Sequence, residues 1–416
     1  MSHQRRTIAL AALAALFSTP GLAQDTGGPA LSLSGFGTVG AVKTNNSDAD
    51  YVIPGQPDGA GKSVDFGVDS KIGVQATATF NLMFSATAQV LSKHNSEGKW
   101  TPGLEWAFGK AKLGDKFSLR VGRMGAPFFM VSDFRDVGYT NTWIRPPLDV
   151  YGQITFSHFD GADLLYSSSI GDTNVTAQFF AGSSKVKYAN GARPELKRIV
   201  GVNASAEIGP VTLRAGHAQG KFSVTRSQRL DQLFNGLRTV AALPVGLGSL
   251  GSLADDLEAD SKDATFTGIG ASLDWNNIVG SAEYTRRRTD SFLADTTGWY
   301  LTGGYRFGTW TPYVTLSKLK QDSDSSKTLP AAPIPQLAGT MAALSKGVND
   351  TLASVGQKTV AAGVRWDAMK NIAVKAQFDH IKPDARSSGQ FVVREGQSGL
   401  NGKSVNVYSV AVDFVW

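Results

Sequence analysis

Apolar and polar positions alternate along most of this chain. Ile72, Val74, Ala76, Ala78 and Phe80 fall on one side of a segment whose other side carries Lys71, Gly73, Gln75, Thr77 and Thr79. A period of two is that of a strand wetted on one face. After Asn81 the alternation resumes with Phe84, Ala86, Ala88 and Val90 against Ser85, Thr87 and Gln89, which predicts a hairpin. The same test yields sixteen strands, near 31–43, 66–80, 83–92, 103–113, 116–124, 160–170, 173–182, 197–208, 211–223, 263–275, 278–288, 297–307, 310–320, 357–367, 371–382 and 404–416. No break in pattern divides them into domains, so residues 24–416 read as one all-β unit.

The connections carry more information than the strands. Every second one is minimal: Asn81-Leu82, Gly114-Asp115, Gly171-Asp172, Gly209-Pro210, Asn276-Asn277, Gly308-Thr309 and Ala368-Met369-Lys370. Those between are mostly longer, reaching 224–262 and 321–356. An even strand count, with tight turns at one end and long loops at the other, is the layout of an outer-membrane barrel. A soluble sandwich has no reason to keep its short turns at one end.

The apolar faces agree, because a lipid-facing strand offers only carbon to acyl chains. Val200, Val202, Ala204, Ala206 and Ile208 form one such face, and Val360, Ala362, Val364 and Trp366 another. Beside the short turns, Phe80, Phe117, Trp275, Tyr305, Phe307, Trp310, Trp366 and Phe414 recur at outward positions, as an interfacial girdle of rings requires. The fourth strand, LEWAFGKAKL from Leu104, leaves its apolar face undecided. LDQLFNGL and MAALSKGVNDTLASV, within long loops, have helical spacing and predict short helices outside the membrane.

Composition narrows the picture. Arg5 and Arg6, an apolar run from Ile8 to Phe17 and a small-residue end at Ala23 have the form of a secretory signal, expected to be cleaved after Ala23. The formal charge of +6, of which that leader supplies two, is too mild to argue for nucleic acid. Cysteine is absent, which excludes thiol catalysis and cysteine-ligated metal sites. No cofactor or metal is called for. His94, His158, His217 and His380 lie near strand ends or in loops, with no nucleophile and acid beside them in the pattern.

Between the fifth and sixth strands, Gly122–Gln153 is rich in Phe, Tyr, Trp and Pro, too apolar for an ordinary solvated loop. Sixteen strands with so long a third loop resemble the general porin family of bacterial outer membranes. The segment Ala107–Met124, AFGKAKLGDKFSLRVGRM, resembles that family's hairpin leading through a Gly-Arg pair into the constriction loop, and WTPYVTLS from Trp310 and VYSVAVDFVW from Val407 are similar to its strands thirteen and sixteen. The resemblance implies a 16-stranded antiparallel transmembrane β-barrel, a third loop (124–159) folded inward, and a homotrimer in outer-membrane lipid. For a trimer, the candidate interface is the small-residue face of the first strand, Gly35, Gly37 and Gly40, with strands two to five and sixteen. Family members usually finish in Phe. Trp416 stands there instead, with a small effect on assembly expected.

Strand parity places Arg120, Arg214, Lys375 and Glu283 on the wet face near mid-membrane, with Arg365 nearer the periplasmic mouth. The loop adds Asp133, Asp136 and Asp149, but also Arg123, Arg135 and Arg145, so its charge nearly cancels. With the wall cations unopposed, the expectation is passive diffusion of small hydrophilic solutes and ions with a weak anion preference. A substrate-selective channel for a small carboxylate or carbohydrate is the second reading. A barrel enzyme or adhesin comes third. The loop's aromatics, Phe128, Phe129, Phe134, Tyr139, Trp143 and Tyr151, are read as anchors against the wall.

Overall fold

The computed structural model describes residues 29–416; the leader expected at 1–23 lies outside them. Sixteen strands close into one antiparallel barrel. In chain order they are β1 Ala30–Thr44, β2 Lys71–Thr79, β3 Phe84–Lys93, β4 Gly103–Leu113, β5 Phe117–Gly125, β6 His158–Ile170, β7 Thr173–Lys185, β8 Arg193–Ile208, β9 Val211–Thr225, β10 Lys262–Trp275, β11 Ile278–Thr289, β12 Thr296–Tyr305, β13 Trp310–Gln321, β14 Gln357–Met369, β15 Ile372–Pro383 and β16 Val405–Val415. Each pairs with its sequence neighbours, and β1 closes the ring on β16, with Phe36 opposite Val415 and Thr44 opposite Val407. Closure leaves no unpaired edge to the membrane.

All the short turns lie at one end, as the spacing predicts. Gly114, Gly171, Gly209 and Gly308 take left-handed backbone there, as do Asn276 and Asn371. The last turn falls at Lys370-Asn371 rather than at 368–370, because β14 runs on to Met369 through a bulge after Asp367. Outside, Ile72, Val74, Val200, Val202, Val360 and Val410 are exposed, and the girdle rings gather near the turns. Trp310 and Trp366, cross-strand partners, stack with centroids 5.1 Å apart.

The fourth strand's ambiguity has a physical cause. Gln89 pairs with Trp106 but Val90 with Leu104, so Glu105 is an inserted residue in a bulge, which switches parity locally. Below it Trp106, Phe108 and Lys110 share one side. The first strand corrects another expectation: Gly35 and Gly37 lie on the outer face, but Gly40 points inward against Asp69. A Cβ at Gly35 would meet the Trp416 ring and one at Gly37 the Phe414 ring, so these two glycines seat flat aromatic side chains.

Both predicted loop helices form, over Gln228–Ala241 and Ala338–Leu352, and a third lies at Ser249–Leu257. They pack through Leu233, Phe234, Leu237, Leu250, Leu253, Met341, Leu344 and Val348, burying their apolar faces against one another outside the barrel.

Candidate functional site

The segment between β5 and β6 folds into the barrel and is bonded around its inner wall. Within it, two turns of 3-10 helix, Ser132–Phe134 and Gly138–Thr140, and a short helix, Leu148–Tyr151, replace regular structure. A loop so buried must find partners for its polar groups, and the charged wall residues supply them.

Arg145 is held by several groups at once. It is 4% exposed and makes two bonds to Asp69, at 2.8 and 2.5 Å, with Asp379 at 3.4 Å and Ser409 at 2.7 Å. Its guanidinium also lies 5.2 Å from the Tyr51 ring centroid. Lys375 on β15 is 1% exposed, pairs with Asp413 at 2.8 Å, and donates to the carbonyls of Gly138 and Trp143 at 2.7 and 2.8 Å. Arg365 on β14 donates to the carbonyls of Tyr139 and Asn141 and pairs with Asp367. Arg214 on β9 donates to Pro127 O at 2.6 Å. Glu283 on β11 accepts from the Met130 amide at 2.7 Å and the Tyr151 hydroxyl at 2.5 Å. From the loop itself, Asp149 accepts from Ser317 and Gln357.

The wall cations are therefore not unopposed. Lys375 and Arg365 spend their hydrogen bonds on loop carbonyls and on the carboxylates of Asp413 and Asp367, and Arg120 on β5 pairs with Asp163 on β6 at 2.5 Å. Arg123, counted with the loop's charges on sequence grounds, follows strand parity to the outer side of β5. There it pairs with Asp160 at 2.7 Å. The aromatics anchor as expected: Phe128, Phe129, Trp143 and Tyr151 are buried with Phe159, Phe180, Phe266 and Tyr300, and the Trp143 indole donates to Thr302. Phe134 differs, remaining 40% exposed.

The stretch Ser132–Val137 presents charge beside open space. Asp136 takes Lys71 at 3.2 Å and Lys93 at 3.0 Å, with Arg135 at 3.9 Å. These residues floor a polar cavity of about 330 Å³ in the mouth, whose walls add Lys185 and Lys187, Glu97 and Glu105. A narrow cleft below continues it, bounded by Gln89, Trp106, Ser132 and Asp133 and sharing Glu105, Arg135, Asp136 and Ser157 with the cavity above. Asp133, Arg135 and Asp136 thus lie together along this cleft. Arg120 and Arg214 stand on the wall as separate contacts. Glu105 was missed because its bulge hides it from a parity argument; the failed alternation of LEWAFGKAKL was the available signal.

A closed sixteen-stranded barrel, apolar outside and narrowed inside by a stapled loop, is an outer-membrane channel architecture. The sequence profile of the Gram-negative porin family matches residues 9–386, and the chain belongs to that family; it is an outer-membrane porin. Among solved structures, the anion-selective porin of Comamonas acidovorans is similar, with a TM-score of 0.55 and 13% identity over 93% of this chain and 100% of that one. Salmonella typhi OmpF, solved with daunomycin, has a TM-score of 0.55 and 14% identity over 94% of this chain and 98% of its own. OmpT of Vibrio cholerae, in trimer form, has a TM-score of 0.50 and 13% identity over 94% and 100%. At these identities the likeness concerns the fold alone. No curated protein matches.

Proposed function

We propose that this porin gives passive passage to small hydrophilic solutes and ions with a weak preference for anions. The observation that carries the reading is the charge along the polar cavity and its cleft. Lys71, Lys93, Arg135, Arg145, Lys185 and Lys187 outnumber Asp69, Glu97, Glu105, Asp133 and Asp136 by one. A modest cationic excess in a narrow, low-dielectric passage concentrates anions. The residues responsible differ from the wall cations first expected, since Lys375 is sealed under the loop.

Trimeric assembly in outer-membrane lipid and removal of residues 1–23 on export belong to the same proposal. OmpT of Vibrio cholerae, similar in fold, occurs in a trimer form. Passage needs no covalent step.

The test is reversal potential under a salt gradient in planar bilayers, for the unaltered protein and for Arg135→Glu. Stepwise three-level conductance, with an anion-side potential that moves towards cations in the variant, is expected. A cation-side potential in the unaltered protein would overturn the selectivity, and single-level conductance would overturn the trimer.

A further inference from the structure

The mouth above the loop is divided. Beside the polar cavity lies a larger one, about 580 Å³, walled by β9 to β12, by the inward loop at Gly152–Phe156 and by the ends of the other long loops. Its lining is mostly apolar and includes the rings of Phe128, Phe156, Tyr188, Phe222, Phe266 and Phe292. Phe156, Phe222 and Ala259 form their own buried cluster here, with Phe292 and Leu293 packed against it. Apolar side chains facing water gain nothing for a hydrophilic solute's passage, and a concave apolar surface with a few polar atoms is the usual form of a small-molecule site.

Arg229, Asp350 and Arg287 bring charge to the lining; the first two are exposed to solvent, and Arg287 is half-buried in the apolar wall. Arg287 on β11 donates to the carbonyl oxygens of Gln153 and Ala294, yet its Nε is buried with no hydrogen-bond partner. No carboxylate lies within ion-pairing distance of it among the described residues, whereas Arg120, Arg145 and Arg365 each have one. Gln390 lines the same cavity, and its Oε1 is likewise buried and unpartnered. A cation in apolar surroundings that lacks an anion is a costly arrangement. An anionic ligand removes that cost.

We propose that this half of the mouth is a binding site for small aromatic carboxylates of one or two fused rings. The rings lie among the phenylalanines and the carboxylate is drawn to Arg287. The volume suits such a molecule, and the adjacent polar cavity, sharing Ile154, Thr155 and Tyr188 with this one, opens towards the narrow cleft. Purely polar dicarboxylates lack the apolar body, and neutral aromatics lack the charge. As a step towards passage, the site rests on the porin being an open channel. As a binding site it does not.

The experiment pairs equilibrium binding of 2-naphthoate, followed by its fluorescence with the purified protein, with block of single-channel current by 2-naphthoate added to either side. Naphthalene-2-methanol and succinate serve as comparisons. Saturable binding of 2-naphthoate is expected, with block from the long-loop side at lower concentration than from the other. Arg287→Gln should weaken both by about tenfold or more, the loss of one charge-assisted contact, and Arg287→Lys should restore part. Leu230 lines the cavity at its contact with the loop helices; Leu230→Glu adds a carboxylate there without altering Arg287's carbonyl partners, so it tests the site should Arg287→Gln fail to fold, and it should weaken binding too. Equal affinity for naphthalene-2-methanol, equal block by succinate, or unchanged binding in Arg287→Gln and Leu230→Glu would overturn the proposal. Conductance without binding defeats this site alone. Arginine-dependent binding without conductance preserves it and defeats the open-channel reading.

Discussion

Two sets of charges face the interior of this barrel and serve opposite ends. Beneath the loop, Arg145, Lys375, Asp149 and Glu283 are each 5% exposed or less and bonded to named groups on facing elements. At the loop's forward edge, Lys93 is 33% exposed and Asp136 18%, and Asp133 and Arg135 bound the passage. The first set turns a flexible insertion into a fixed one. In the proposed function, the second sets the field a solute crosses. Both sets hold both signs, so net charge of the lumen says little; burial decides which charges a solute meets, since a paired, dehydrated ion is shielded by its partner.

Removing a staple should have the largest effect. Arg145→Ala strands Asp69 and Asp379 as buried carboxylates without their cation, a defect of about 3–5 kcal/mol. The barrel ladder does not depend on this contact, so the strands should stay protected from hydrogen exchange while amides of 138–153 lose protection. Single-channel noise should rise with it. Unchanged protection of that segment would mean that packing of Phe129, Trp143 and Tyr151 holds the loop without the ion cluster.

Lys375 sharpens the point with a pair. Lys375→Met leaves Asp413 buried and uncompensated, and about 3 kcal/mol of loop stability should go with it. Adding Asp413→Leu should recover part, because two apolar side chains replace two ions. The readout is again exchange across 138–145. Equal losses in the single and double variants would show that the bonds to the Gly138 and Trp143 carbonyls, rather than the ion pair, carry the contact.

This division explains what the sequence disclosed. All sixteen strands were legible because lipid outside and water inside impose a period of two on every strand, and the closed ring repeats that constraint around the barrel. Parity also put Lys375, Glu283, Arg120 and Arg214 on the correct side. It could not supply partners: Arg145 meets Asp69 76 positions away and Asp379 234 positions away, separations at which no local pattern survives. Glu105 escaped because an inserted residue exchanges the two faces, and Gly40 was grouped with Gly35 and Gly37 although odd and even positions of β1 face opposite ways. The charges that hold the loop looked the same in sequence as those that face the passage.

The smallest effect on stability should accompany the clearest effect on function. Lys93→Gln and Glu105→Gln each alter a charge beside the cleft without removing a strand bond; Lys93→Gln should change stability by no more than about 1 kcal/mol, as for other solvent-accessible pairs, and Glu105→Gln, which keeps a hydrogen-bonding side chain beside His158, by about 1–2 kcal/mol. Their effects on selectivity should have opposite sign. Lys93→Gln lowers the cationic excess and leaves Asp136 to Lys71 and Arg135, so the reversal potential should move towards cations. Glu105→Gln removes an acid shared by the cavity and the cleft, so it should move towards anions. Raising the salt should shrink both shifts, since screening reaches water-exposed charges first. Shifts of the same sign, or shifts as large in Lys375→Met, would place the controlling field under the loop and undo the distinction between staples and passage.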